Sequence, residues 1–128
     1  MELIQSQETL AQEVVDAAHE VHRILGGPGL LETIYESALS HELKLRGIMS
    51  KRQLPVSVLY KSEEVRDPLF LDLLVEDTLI IEIKATGKDY PMYRAQLATY
   101  LRLTHHSMGL LINFGKESLS EGITYIVA

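Results

Sequence analysis

Leu69-Phe70-Leu71-Asp72-Leu73-Leu74-Val75, Glu76-Asp77-Thr78, Leu79-Ile80-Ile81-Glu82-Ile83-Lys84-Ala85 is the stretch whose reading decides the fold. Two aliphatic runs flank a short polar turn, the pattern of a β-hairpin. Side chains alternate across a strand, so Glu82 and Lys84 share a face. Asp72 interrupts the first run, and a buried carboxylate needs a cation, hydrogen bonds or water. If Leu74 lies opposite Ile80, Asp72 lies opposite Glu82 and the loop has three residues. A two-residue loop would put the two acids on opposite faces unless a bulge intervened. Two facing carboxylates repel; a divalent cation between them would resolve the conflict. The plainer alternatives are a half-solvated strand with its polar residues outward, or a simple ion pair, for Glu82 and Lys84, and a place at the sheet rim for Asp72.

Outward from the hairpin, the hydrophobic period marks the other elements. From about Gln7 to Leu25, Leu10, Val14, Ala17, Ala18, Val21 and Leu25 recur at helical spacing. Gly26-Gly27-Pro28-Gly29 ends that helix. A second helix is expected from roughly Leu30 to Arg46, with Gly47 as its C-terminal cap. Alternation over Leu54, Val56, Val58 and Tyr60 predicts a strand, and Pro55 favours an edge position or strand start. Pro91 to Leu103 reads as a third helix opened by its proline. Met108 to Phe114 reads as a buried strand and Ile123 to Val127 as a last, shorter one. Two helices, three strands, a helix and two strands make an α/β or α+β protein with helices flanking a mixed sheet.

The bulk numbers restrict the chemistry. The chain has 128 residues, which predicts one domain spanning 1–128. It has no Cys, so disulfides and thiolate metal sites are excluded. A metal would sit on oxygen or His ligands, and oxygen favours hard ions such as Mg²⁺ or Mn²⁺. The net charge of −6 counts against a tight, sequence-independent grip on duplex DNA. No run approaches the about 20 apolar residues of a membrane helix. Met1 to Glu13 lacks the basic start and apolar run of a signal peptide, so the cytoplasm is the expected compartment.

Two more segments complete the candidate site. Gln96 and Tyr100 are four apart and Tyr93 three before Gln96, so all three share one side of the third helix. Glu32 neighbours Tyr35 and Glu36 on the second helix; its placement near the positive N-terminal end would explain an acid there without any metal.

Gly29-x-x-Glu32-x-x-Tyr35, Asp72, Glu82-x-Lys84 and Gln96-x-x-x-Tyr100, in this order, closely resemble the GxxExxY protein family, grouped with the PD-(D/E)XK nuclease superfamily. The resemblance runs from about Val21 to the C-terminus and includes Val21-His22-Arg23 and Gly109 to Phe114. Gln96-x-x-x-Tyr100 is also similar to a motif in the nuclease domains of RecB-type helicase–nucleases. The resemblance implies a restriction-endonuclease-like core and metal-dependent cleavage of phosphodiester bonds, with DNA as the expected polymer. It implies that Asp72, Glu82 and the backbone carbonyl of Ile83 bind the metal, with Glu32 contributing directly or through water. It implies that Lys84 orients or activates water and that Gln96 fixes Lys84 or a substrate phosphate. Tyr35 and Tyr100 are expected to pack behind these groups. Two departures stand out: Arg66-Asp67-Pro68-Leu69-Phe70-Leu71 is less polar than the family's approach to the aspartate, and Gly26-Gly27 lengthens the loop before Glu32.

The competing function is a nucleic-acid- or protein-binding module that keeps the fold with little or no turnover. A homodimer, by analogy with small nucleases, or an unidentified protein partner would fit either reading. His105-His106 is better explained as a helix end than as a metal pair. His19 and His22 lack a third ligand. Lys44, Arg46, Lys51 and Arg52 cluster around the end of the second helix, where they could follow a phosphate backbone or simply be solvated.

Overall fold

A computed structural model describes residues 2–128, with side chains from residue 7 onward. Helix α1 spans Glu2–Ile24 and α2 Glu32–Leu45. Strand β1 (Ser50–Val56) and the two-residue strands β2 (Leu59–Tyr60) and β3 (Glu63–Glu64) follow. The hairpin is β4 (Leu69–Val75) and β5 (Leu79–Lys84). Helix α3 (Pro91–Thr104), β6 (Met108–Asn113), a 3-10 turn (Leu119–Gly122) and β7 (Ile123–Val127) complete the chain.

Five strands form one sheet in the order β1-β4-β5-β6-β7. The β5–β6 pair is parallel and the other three are antiparallel, so the sheet is mixed. Strand β5 is central, and its run of aliphatics is buried throughout. A helix between β5 and β6 is what a parallel connection requires, and α3 supplies it. Helices α1 and α2 pack on one face against Leu73, Val75, Ile81, Ile83 and Leu110. Ala11, Ala17 and Ala18 of α1, all fully buried, have no bulk to hold the helix away from that face. Helix α3 covers the other face through Leu97, Tyr100 and Leu101, which meet Ile80 and Leu111.

The expected strand over Leu54–Tyr60 is corrected by the structure. Pairing with β4 begins earlier, at Ser50↔Val75, and ends at Val56↔Leu69. Leu59 and Tyr60 turn away to pair with Glu64 and Glu63 in a separate small hairpin. The apolar alternation was real, but β1 is set by its ladder with β4 rather than by its own hydrophobicity. Pro55 does lie in an edge strand, where its missing N–H is tolerated. Helix α2 starts two residues later than expected, with Leu31 as N-cap. At its far end Ile48 N–H donates to Leu43 O at 2.9 Å and Gly47 N–H to Lys44 O at 3.0 Å. That closure needs the left-handed φ of +76° that Gly47 adopts.

Candidate active site

The β4–β5 register is Leu73↔Ile81, Leu74↔Ile80 and Val75↔Leu79, leaving Glu76-Asp77-Thr78 as a three-residue connection. The paired register ends at Leu73↔Ile81, and Asp72 and Glu82 are the next residues on the two strands. Here side chains replace the regular backbone ladder. Asp72 N–H donates to Glu82 Oε1 at 3.2 Å, and Ile83 N–H donates to Asp72 Oδ2 at 2.8 Å. Each carboxylate therefore accepts from the opposite strand, satisfying an N–H that would otherwise be unpaired.

A distortion in the neighbouring strand shapes the same point. Arg52↔Leu73 and Leu54↔Leu71 place Gln53 opposite Asp72. Gln53 has a φ of +51°, rare for a residue with a side chain. Leu73 and Val75 pack towards α1 and α2, yet Leu71, of the same parity, packs towards α3. The side-chain alternation of β4 thus changes face at Asp72. From its strained position Gln53 Nε2 bridges two carboxylates, donating to Asp72 Oδ1 at 3.1 Å and to Glu36 Oε1 at 2.7 Å. Arg52 completes the link by donating to Glu36 Oε2 at 3.1 Å.

Lys84 is held from α3. Its ammonium donates to Gln96 Oε1 at 2.8 Å, and Gln96 Nε2 donates to Tyr100 Oη at 3.2 Å. Tyr100 Oη in turn donates to Phe70 O at 3.0 Å, two residues before Asp72. The Lys84 Nζ also lies 4.8 Å from the centre of the Tyr93 ring, which fits cation–π contact. Among the described residues Lys84 forms no ion pair, so its remaining N–H groups are unclaimed by carboxylates.

The charges conflict in the expected place. Glu82 is 2% exposed. Burial first, and then the charge of Asp72, pushes its carboxyl up to about 8. Asp72 is raised chiefly by burial, against the hydrogen bonds from Ile83 and Gln53. Glu32, the first residue of α2, is also raised by burial, with Lys84 opposing and Asp72 and Glu36 reinforcing. Glu32 thus stands within the electrostatic reach of Asp72 and Lys84. No hydrogen bond links it to either among the described residues.

Tyr35 is buried elsewhere. It stacks on Phe114 with ring centres 4.7 Å apart, and its hydroxyl donates to Gly27 O at 2.7 Å and accepts from Leu30 N–H at 3.1 Å. Its work is to pin the loop that delivers Glu32. Gln53 and Glu36 are members of the network that sequence reasoning did not assign. Their signal lies in the β1–β4 register, which a single sequence does not display. A second network adjoins β5: buried Asn113 accepts from Thr86 N–H at 3.0 Å and donates to Asp89 Oδ1 at 3.0 Å. It secures the chain leaving the end of β5 that carries Lys84.

No group of three or more His, Asp or Glu side chains among the described residues forms a ready metal cage. Two carboxylates on neighbouring strands, Asp72 and Glu82, nevertheless suit a hard cation. Mg²⁺ uses one or two carboxylates and keeps several waters. Burial raises both carboxyls, and the charge of Asp72 raises Glu82 further; positive charge placed beside them would favour their ionised forms.

A family model of the PD-(D/E)XK nuclease superfamily matches residues 8–126. The chain belongs to that superfamily, and its five-stranded mixed sheet flanked by helices is consistent with that nuclease fold. Nucleases of this superfamily generally use divalent metals. Searches of curated proteins and of solved structures returned no match. No helix of the described residues is long and apolar enough to cross a membrane.

Proposed function

We propose that the chain is a single nuclease domain of the GxxExxY type that hydrolyses phosphodiester bonds in DNA with Mg²⁺ or Mn²⁺. The observation that carries this reading is the meeting of Asp72 and Glu82 across β4 and β5, with Lys84 two residues on and held by Gln96. Asp72, Glu82 and the carbonyl of Ile83 would hold the cation, with Glu32 reached through water. When bound, the cation supplies Lewis-acid polarisation of the phosphoryl oxygens and favours ionised water. Lys84 places a positive N–H donor where the transition state gains negative charge. Gln96 Oε1 accepts a hydrogen bond from the Lys84 ammonium and so aims it, while Tyr100 fixes Gln96 in turn. Glu82 and Lys84 sit on one rigid strand, so both reach one phosphate with little rearrangement.

The test is cleavage of labelled single- and double-stranded DNA by purified protein in Mg²⁺, Mn²⁺ and EDTA, with Asp72→Ala and Lys84→Ala alongside. Metal-dependent cutting lost in both variants is the expected result. No cutting in any metal, or equal cutting by the variants, would refute it and assign the chain to the binding-module class.

A further inference from the structure

A cleft of about 600 Å³ lies between α2 and the edge strand β1. Neither Asp72, Glu82 nor Lys84 lines it, so it is separate from the carboxylate site. Ser37, Ser40, His41 and Lys44 recur at helical spacing and form one stripe of α2 along it; Ser50 and Arg52 close it from β1. The lining therefore brings together three hydroxyls, an imidazole, an ammonium and a guanidinium. It contains no acidic side chain. The nearest acid in the hydrogen-bond network is Glu36, which lies behind the lining and pairs with Arg52 at 3.1 Å. Arg52 is already oriented, donating to Ser37 Oγ at 2.9 Å and to Glu36. Lys44 forms no ion pair among the described residues.

Hydroxyl and cationic donors around one hollow match the acceptor-only surface of a phosphate group. We propose that this cleft is a phosphate-binding subsite, held chiefly by Lys44, Arg52 and the serine hydroxyls. Its position explains how an acidic protein gains a local hold on a polyanion. Arg52 also joins it to the carboxylate site, through Glu36 and Gln53 to Asp72. Phosphate recognition rests on the lining alone; the assignment of that phosphate to a nucleic-acid strand rests on the nuclease reading.

The experiment is a titration of the full chain with inorganic phosphate in EDTA, followed by amide NMR. Saturable shifts at Ser40, His41 and Ser50 are expected, with affinity falling about tenfold in Lys44→Ala for the loss of one charge-assisted bond. Ser40→Ala, read in the same way, serves if Lys44→Ala disturbs the rest of the spectrum. Asp72→Asn should lose cleavage yet keep phosphate binding, so failure of the nuclease reading is distinguishable from failure of the subsite. Short labelled single strands with and without a 5′-phosphate then identify the source. A preference for the 5′-phosphate that Lys44→Ala abolishes supports a strand end. Equal binding that weakens equally supports an internal phosphate. Strands indifferent to the substitution, with inorganic phosphate still sensitive, support a free phosphate or mononucleotide. Absence of saturable shifts, or unchanged phosphate affinity in both variants, would overturn the subsite.

Discussion

Replacing Glu82 by Gln should flatten the pH dependence of stability in the metal-free protein. The folded protein holds the Glu82 proton up to about pH 8, whereas the unfolded chain releases it at the ordinary value of 4.5. Below the unfolded value both states are protonated and the stability is fully present. As pH rises through the window from 4.5 to about 8, the folded state binds more protons than the unfolded state, so stability falls; above it the loss levels off. The full separation, from 4.5 to about 8, sets a ceiling of about 5 kcal/mol. About half of that falls between pH 6 and pH 9. Asp72, raised in the same direction, adds to the slope. The assay is urea denaturation in EDTA at those two pH values. The substituted amide would still accept the Asp72 N–H but could not ionise, so Glu82→Gln should lose much less stability than wild type. Saturating Mg²⁺ should reduce the wild-type slope, because a cation that binds the ionised pair stabilises it. Parallel slopes for wild type and Glu82→Gln would refute the assignment of the raised carboxyl to Glu82.

Three further changes test the scaffold. Tyr100→Phe removes the donor to Phe70 O and the acceptor for Gln96, and should cost about 1 kcal/mol in denaturation. It should also slow cleavage, by less than Lys84→Ala does in the same assay. Gly115→Ala would bring a Cβ to 2.3 Å from Thr86 O and 2.4 Å from Thr86 N. The backbone must shift, and a loss of about 1–3 kcal/mol is expected by thermal or chemical unfolding. His105 is exposed and takes a left-handed φ of +59° as the C-cap of α3. His105→Gly should stabilise the protein by about 0.5–1 kcal/mol, seen as a higher denaturation midpoint.

Much of the architecture was legible because hydrophobic periodicity is local. The three helices, the β4–β5 hairpin and β6 and β7 are all present near their expected positions, with α1 starting at Glu2 instead of about Gln7 and α2 at Glu32 instead of Leu30. The three-residue turn is the most informative agreement, since the Leu74↔Ile80 register leaves Asp72 close enough for its N–H to donate to Glu82 Oε1. The interpretation of His105 as a helix end also stands: its N–H donates to Leu101 O. The strand over Leu54–Tyr60 was misplaced because apolar alternation does not say which partner a segment will pair with. Gln53 and Glu36 were not assigned because nothing nearby in the chain links a glutamine in one strand to a glutamate on the preceding helix.

By itself, then, the sequence determined which residues are apolar and at what period, and with them most of the elements; it left the meeting of Asp72 with Glu82 conditional on the length of the β4–β5 loop. It also placed Glu82 and Lys84 on one strand face. Tertiary structure alone decided that Gln53 would bridge Asp72 to Glu36, that Gln96 and Tyr100 would tie Lys84 to the backbone beside Asp72, and that cations and hydroxyls would line the α2–β1 cleft. The physical reason is range: periodicity and turn chemistry act over a few residues, whereas hydrogen bonds, burial and charge act between whatever groups packing brings together.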